Sequence, residues 1–300
     1  METLSPRDVP LGGLRAMTVR RTLPQRSRTF IGAWCFVDHY GPDEVGAGGG
    51  MVVPPHPHTG LQTVSWLFSG EIEHRDSAGY QVLVRPGEVN LMTAGRGISH
   101  SEYSAPTTTV LHGVQLWVAL PDGDRHVEPS FEHYAPPEVS GEGWEARVFL
   151  GTALGSTSPV HTYTPLLGAE LRLRAGTTLR IPVDRGYEHG VLLDTGAVTV
   201  NGEELAVNGL GYVAPGPDAL ELVATEETLL LLLGGPPFGE QIVMWWNFIG
   251  RDHAEVAAYR AQWQQLLEDG RSDRFSLPSA DLMPPIPAPV LPNARMVKRG

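Results

Sequence analysis

A glycine or a proline interrupts this chain every few residues: 35 glycines and 26 prolines stand among 300 residues. Proline removes a backbone donor and glycine costs entropy inside a helix, so long helices are excluded over most of the length. What lies between the breaks is short and rich in β-formers. Thr63–Phe68 runs into Ser69-Gly70 and resumes as Glu71–His74. Gln81–Val84 meets Arg85-Pro86-Gly87 and resumes as Glu88–Met92, and Val110–Leu120 ends at Pro121-Asp122-Gly123. Short strands with turns at close, regular spacing predict an all-β sandwich or barrel.

The pattern then recurs. Glu145–Leu150, Ala169–Arg174, Thr178–Pro182, Gly190–Leu193, Ala197–Val200 and Glu221–Leu233 read as strands. Leu193–Val200 echoes Leu67–His74, and Asn208–Pro215 echoes Pro86–Thr93. This weak internal duplication predicts two similar β-barrels. The stretch from Pro121 to Gly143, with Pro129, Pro136, Pro137 and Gly141, reads as the connection between them. The expected division is 1–135 for a first barrel, 136–144 for a linker and 145–300 for a second. The second portion carries the one clear helix, 253–268, with Asp252 as N-cap and Val256, Tyr259, Trp263, Leu266 and Leu267 along one side. Residues 278–292 hold six prolines and read as an extended tail.

Hydrophobic residues make up 41% of the chain, enough for a sizeable core, and the formal net charge is −12. Such an acid excess repels a phosphate backbone, which argues against direct nucleic-acid binding. The charge is uneven. Residues 1–30 carry Arg7, Arg15, Arg20, Arg21, Arg26 and Arg28 against only Glu2 and Asp8, either a solvated edge or a docking patch. The single cysteine, Cys35, excludes an internal disulfide and any Cys-based zinc site. No segment reads as a signal peptide, and the longest strongly apolar run, Leu229–Leu233, is far too short to cross a membrane. A cytoplasmic protein is the expectation, and a monomer is favoured.

The chemistry concentrates in two pairs. In a strand, residues i and i+2 project from the same face. His56 and His58 therefore point together, and so do His100 and Glu102. If the two strands face each other inside a small barrel, three imidazoles and one carboxylate converge on a divalent transition metal. With nitrogen and oxygen donors and no thiolate, the set admits Fe, Mn, Ni, Co, Cu or Zn. Gly95 and Gly97 just before the second pair permit a sharp turn and close backbone approach. The other histidines, His39, His74, His112, His126, His133, His161, His189 and His253, are scattered and read as core or surface residues.

Two runs, His56-Pro-His-Thr-Gly-Leu-Gln-Thr-Val-Ser65 and Met92-Thr-Ala-Gly-Arg-Gly-Ile-Ser-His-Ser-Glu102, resemble the pirin family of the cupin superfamily. Phe36–Tyr40 and Val114–Pro121 are similar to pirin segments as well. The resemblance implies a bicupin, two face-to-face barrels with one metal in the N-terminal barrel, iron by family, held by His56, His58, His100 and Glu102. One departure stands out: the family has Glu where this chain has Gln62. The second half has no matching ligand set. His189 sits near the place where a His pair would fall, but Gly190 and Val191 follow it, so no metal is expected there. Trp245 and Trp246 read as packing residues.

Some members of the family resemble quercetinases, which open a flavonol ring with dioxygen and release carbon monoxide. On that reading the substrates are a flavonol-type aromatic and O2. Glu102 is ligand and base, Phe36, Val53, Gln115 and Trp117 line the pocket, and Asp38 and Gln62 orient the imidazoles. The resemblance also implies an alternative, a non-catalytic metal-loaded regulator acting through a protein partner. A cupin isomerase or epimerase fits the family-specific run less well.

Overall fold

The structure, a computed structural model, describes residues 1–11, 17–45, 50–279, 281 and 283–300. Arg15 of the basic stretch, and Ala280 and Leu282 of the proline-rich tail, lie outside the described residues.

Strands dominate, as the turn spacing requires. The first half contributes β1 (Glu2–Leu4), β2 (Arg7–Leu11), β3 (Met17–Leu23), β4 (Trp34–Glu44), β5 (Val52–His58) and β6 (Leu61–Ser69). It continues with β7 (Ile72–Asp76), β8 (Gln81–Val84), β9 (Val89–Thr93), β10 (Ile98–Ser104), β11 (Val110–Ala119) and β12 (Ser130–Tyr134). The second half begins with β13 (Glu138–Gly141), β14 (Trp144–Leu150), β15 (Thr152–Ala153), β16 (Ser156–Thr157), β17 (Leu167–Leu173), β18 (Thr178–Pro182) and β19 (Glu188–Thr195). Then come β20 (Val198–Val200), β21 (Glu203–Leu205), β22 (Leu210–Val213), β23 (Ala219–Ala224) and β24 (Thr228–Gly235). A two-stranded ribbon, β25 (Val243–Trp245) and β26 (Phe248–Gly250), precedes α1 (His253–Asp269).

Each half is a seven-stranded sheet facing a four-stranded one. The large sheets run β12-β9-β6-β11-β4-β3-β2 and β1-β22-β19-β24-β17-β14-β13; the small ones run β5-β10-β7-β8 and β18-β23-β20-β21. The halves correspond strand for strand, β6 to β19, β9 to β22, β11 to β24 and β5 to β18. Both sequence echoes fall on corresponding strands. The run read as one strand, Glu221–Leu233, is two: Thr225–Glu227 turns the chain from one sheet to the other.

The large sheets meet face to face. Leu23, Trp34, Val64, Trp66, Val114 and Leu116 of the first share one buried cluster with Phe149, Leu192, Leu210, Leu231 and Leu233 of the second. Trp66 stacks on Phe149 at 4.6 Å, and its indole N–H donates to the buried carboxylate of Glu170 at 2.8 Å. Burying a tryptophan is favourable only if that N–H finds a partner. A separate core fills the second half, built from Leu171, Ile181, Leu193, Leu220, Leu222 and Leu232 among others.

The chain crosses between halves more than its sequence shows. Strand β1 pairs with β22 of the second sheet. Glu138–Gly141, within the segment read as linker, is the edge strand β13 of that same sheet, and β12 pairs with β9 of the first. The prolines between 121 and 143 flank these strands, and Gly141 is the last residue of β13. Residues 242–300 return to the first half. Phe248 bridges to Thr59, Ile286 N–H donates to the carbonyl of Pro55, and the side chain of Arg274 donates to the carbonyl of Arg96. Helix α1 is capped by Asp252, whose side chain accepts from Glu255 N–H, and ends at Gly270 in the left-handed conformation. Its buried side, Val256, Tyr259, Trp263 and Leu266, packs with Val243, Phe248, Phe275 and Ala288. Among the described residues no helix is long and apolar enough to cross a membrane.

Part of the basic stretch is spent on contacts within the molecule, while Arg7 and Arg26 are exposed. Arg28 pairs with Glu2 at 2.6 Å and lies 3.3 Å over the ring of Tyr212 from the second half. Arg21 makes a two-pronged contact with Asp38, at 2.6 and 2.7 Å. These arginines act as internal fasteners.

Candidate metal centre

Strand β5 carries His56 and His58, and β10 carries His100 and Glu102. The strands are antiparallel, with His100 opposite His56 and Glu102 opposite Val53. The register shifts between His100 and Glu102 because Pro54 and Pro55 interrupt β5 there. Neither proline can donate to a ladder, so a bulge forms, and bulges re-aim side chains. Gly95 and Gly97 lead into β10 at φ values of +50° and +154°. A Cβ on Gly95 would lie 2.0 Å from the carbonyl oxygen of Val127.

The three imidazoles close on one point. His58 Nε2 lies 3.1 Å from His100 Nε2, the rings of His56 and His100 are 4.4 Å apart, and those of His56 and His58 are 5.0 Å apart. All three are buried, with Glu102 beside them. Burial makes charging costly and holds the imidazoles neutral, the ligating form: His56 is pushed down to about 4, and His58 and His100 are held well below their usual range.

The proton positions follow from the hydrogen bonds. Asp76 Oδ1 accepts from the N–H groups of Ala78 and Tyr80, at 2.9 and 3.1 Å. His74 Nε2 lies 3.1 Å from Asp76 Oδ2 and must donate to that carboxylate. Its Nδ1 is then an acceptor, and His100 Nδ1, 3.3 Å away, is the donor. That leaves His100 Nε2 without a proton, facing His58. His56 is set the same way, its Nδ1 donating to the carbonyl of Pro54 at 2.9 Å. Bare imidazole nitrogens aimed at one buried point are what a divalent cation requires, so these residues fit a metal.

Glu102 is differently placed. His56, His58 and His100 form one group with ligand geometry, and His74, His100 and Glu102 form a second that shares His100. Burial raises the Glu102 carboxyl, against His74 and Ser65. Ser65 gives Glu102 little: its hydroxyl is 2.8 Å from Gln115 Oε1 and 3.5 Å from Glu102 Oε1.

A cavity of about 430 Å³ opens on this cluster. Phe36, Val53, Gln115 and Trp117 line it together with the four expected ligands and Asp38. Phe36 and Trp117 stack at 4.0 Å, and the Arg21 guanidinium lies 4.2 Å over the Phe36 ring. The orienting role expected of Asp38 and Gln62 falls elsewhere. The Asp38 carboxylate is held by Arg21, and Gln62, fully buried, donates to Thr93 Oγ1 at 3.0 Å. His74 and Asp76 orient His100 instead, a pair missed in sequence although it has the same i, i+2 spacing. The roof was missed too. Trp246, Asn247 and Ile286, from the returning C-terminal segment, complete the cavity. Trp246, whose φ is +52°, therefore lines the cavity as well as packing.

A second buried cluster joins the halves. His39 Nε2 and His112 Nε2 each lie 2.6 Å from Asp194 Oδ1. Two ligands on one metal at bond lengths of about 2.0–2.1 Å would stand about 3.3 Å apart. At 2.6 Å the cluster is spaced for hydrogen bonds, and it acts as a latch between sheets. Burial would raise the Asp194 carboxyl, but hydrogen bonds from His112 and His39 outweigh it and hold it at about 2.

Comparison with known proteins gives the same outline. The pirin family pattern matches residues 16–118, and the pattern described as the pirin C-terminal cupin domain matches residues 168–267. A Pseudomonas aeruginosa protein provisionally named quercetin 2,3-dioxygenase is 43% identical over 289 residues, 96% of this chain and 91% of that one. The crystal structure of a quercetin 2,3-dioxygenase from Acinetobacter baumannii superposes with a TM-score of 0.92 at 40% identity, covering 99% of this chain and 97% of that one. A bacterial pirin from Escherichia coli, solved in complex with nickel(II), shares the fold with a TM-score of 0.63 at 20% identity, over 79% of this chain and 99% of that one. With matched patterns in both halves and a relative this similar along nearly its whole length, the chain belongs to the pirin family and is built of two cupin domains.

Proposed function

We propose that this chain is a metal-dependent dioxygenase of the quercetin 2,3-dioxygenase type, opening a flavonol with O2 and releasing carbon monoxide. The observation that carries the reading is the buried His56–His58–His100 cluster, with Glu102 beside it, in a cavity lined by Phe36, Trp117 and Trp246. His56, His58, His100 and Glu102 would hold one divalent metal, taken as iron, and when bound it would supply open positions at which a flavonol oxygen and O2 meet.

The chain's own residues do the rest. Phe36 and Trp117 give the cavity an aromatic lining suited to an aromatic substrate. Trp246 and Ile286, both half-buried, add apolar surface to the lining of the cavity. A flavonol must lose its 3-hydroxyl proton before it can give electrons to oxygen. Glu102 takes that proton: burial raises its carboxyl, it lacks a strong donor of its own, and it faces the same cavity. Gln115, held by Ser65, is placed to meet a substrate hydroxyl.

The test is aerobic turnover of quercetin by the iron-loaded protein, followed by loss of the flavonol absorbance and by carbon monoxide release. Metal analysis should give one ion per chain. His58→Ala and Glu102→Ala should each abolish most turnover. Absence of turnover in a fully loaded protein, with a partner protein recovered in its place, would move the assignment to the metal-loaded regulator.

A further inference from the structure

The second domain has a mouth of its own. The β18–β19 connection corresponds to the β5–β6 connection, which follows directly on His56 and His58 in the first domain. Beside it lies a cavity of about 500 Å³. His189, on the first residues of β19, lines this cavity and is buried, yet neither ring nitrogen has a hydrogen-bond partner. A buried polar ring left unpaired on both sides is costly, and native interiors rarely leave one so.

From this vacant imidazole in a roomy mouth, we infer that the second domain binds a small neutral hydroxylated aromatic ring, a phenol, without a metal. Three features of the lining choose that class. No arginine or lysine lines the cavity and Asp184 does, so an anion would meet repulsion and no counter-charge. Arg185, next in sequence, turns away and donates to the carbonyl of Gly216 at 3.0 Å. Burial holds the His189 imidazole neutral, down at about 4, so it offers one donor and one acceptor, the complement of a hydroxyl group. Val160, Leu166 and Leu167 form an apolar wall, while Tyr187, its ring 6.2 Å from that of His189 and tilted by 32°, extends a flat one. A ring with a hydroxyl on its edge fits both walls, whereas a polyol would waste the apolar one. A metal is not part of the inference: among the described residues no ligand group of three gathers here.

The experiment uses the full chain loaded with diamagnetic zinc, which the donor set also admits, and resorcinol, a phenol whose separated hydroxyls do not chelate metals. Ring ¹H–¹⁵N signals of the histidines are followed by NMR, and affinities are taken by calorimetry. Resorcinol should shift the His189 signals saturably and leave those of His56 and His100 in place. His189→Leu should weaken binding about tenfold, the loss of one buried hydrogen bond. Thr162→Trp, which fills the mouth from its rim, should abolish binding and guards against misfolding of the first variant. No saturable shift would mean that the cavity holds only water. Binding unaltered in both variants would place the ligand elsewhere. Benzoate or myo-inositol binding as tightly as resorcinol would overturn the phenol class. Each of these results overturns the inference, and none depends on turnover at the first site.

Discussion

At His100 the proton's position is decided two side chains away. The Asp76 carboxylate fixes the tautomer of His74, and His74 fixes that of His100. Partners of this kind typically carry 10–100-fold in metal affinity. His74→Ala and Asp76→Asn should therefore each weaken metal binding by about one to two orders of magnitude, measured by competition with a chelator, while the circular dichroism spectrum stays unchanged. Unaltered affinity in both would show that His100 needs no orienting partner. Glu102→Gln keeps the shape of the side chain and removes its basicity. It should cut turnover by about 10² or more, and metal content measured in parallel separates lost proton transfer from lost ligation. Much of this was legible in the sequence, because strand alternation alone places His56 with His58 and His100 with Glu102. The same rule applied to His74 and Asp76 would have found the orienting pair. Nothing local could have found the His39–His112–Asp194 cluster, whose aspartate lies 155 positions from His39.

Among the elements, α1 was the easiest to read and its destination the hardest. Its cap and apolar side follow from sequence, but its docking on the first half depends on where β25 and β26 lead it. Trp263 is fully buried there, and its indole N–H donates to the carbonyl of Ile286 at 2.9 Å. Trp263→Ala should cost about 3–5 kcal/mol, seen as a lowered denaturant midpoint. Because Ile286 also lines the cavity, the same variant should raise the KM for an aromatic substrate more than a surface substitution on α1, such as Gln265→Ala. Equal KM values would detach the helix from the site. The strand split at Thr225–Glu227 was illegible for a different reason: no glycine or proline marks that turn, and both flanking runs are apolar.

For the whole molecule, the histidines that burial keeps neutral set the acid limit. His189 titrates near 4 when folded, and burial lowers His39 as well. An unfolded histidine takes up its proton near 6.5, so below that the unfolded state binds more protons. This contribution is complete above pH 6.5 and is lost as pH falls toward 4. Asp194 adds a second loss as pH falls from 3.8 toward 2. Denaturant midpoints should decline steadily from pH 6.5 to 4, and a flat profile over that range would contradict the assigned burial. Asp194→Ala leaves His39 and His112 unpaired between the sheets, and should lower the midpoint at pH 7. The duplicated architecture was visible in the two sequence echoes. The exchange of segments between halves was not, since strand pairing at long range leaves no local mark. That exchange governs how the protein comes into being. On a ribosome, β1 emerges with no partner and waits for β22, about 200 residues later, or some tens of seconds at ordinary elongation rates. The ligand strands are made well before Trp246, Asn247 and Ile286. A nascent chain thus carries the His56, His58 and His100 imidazoles uncovered until the segment with Trp246, Asn247 and Ile286 has folded back.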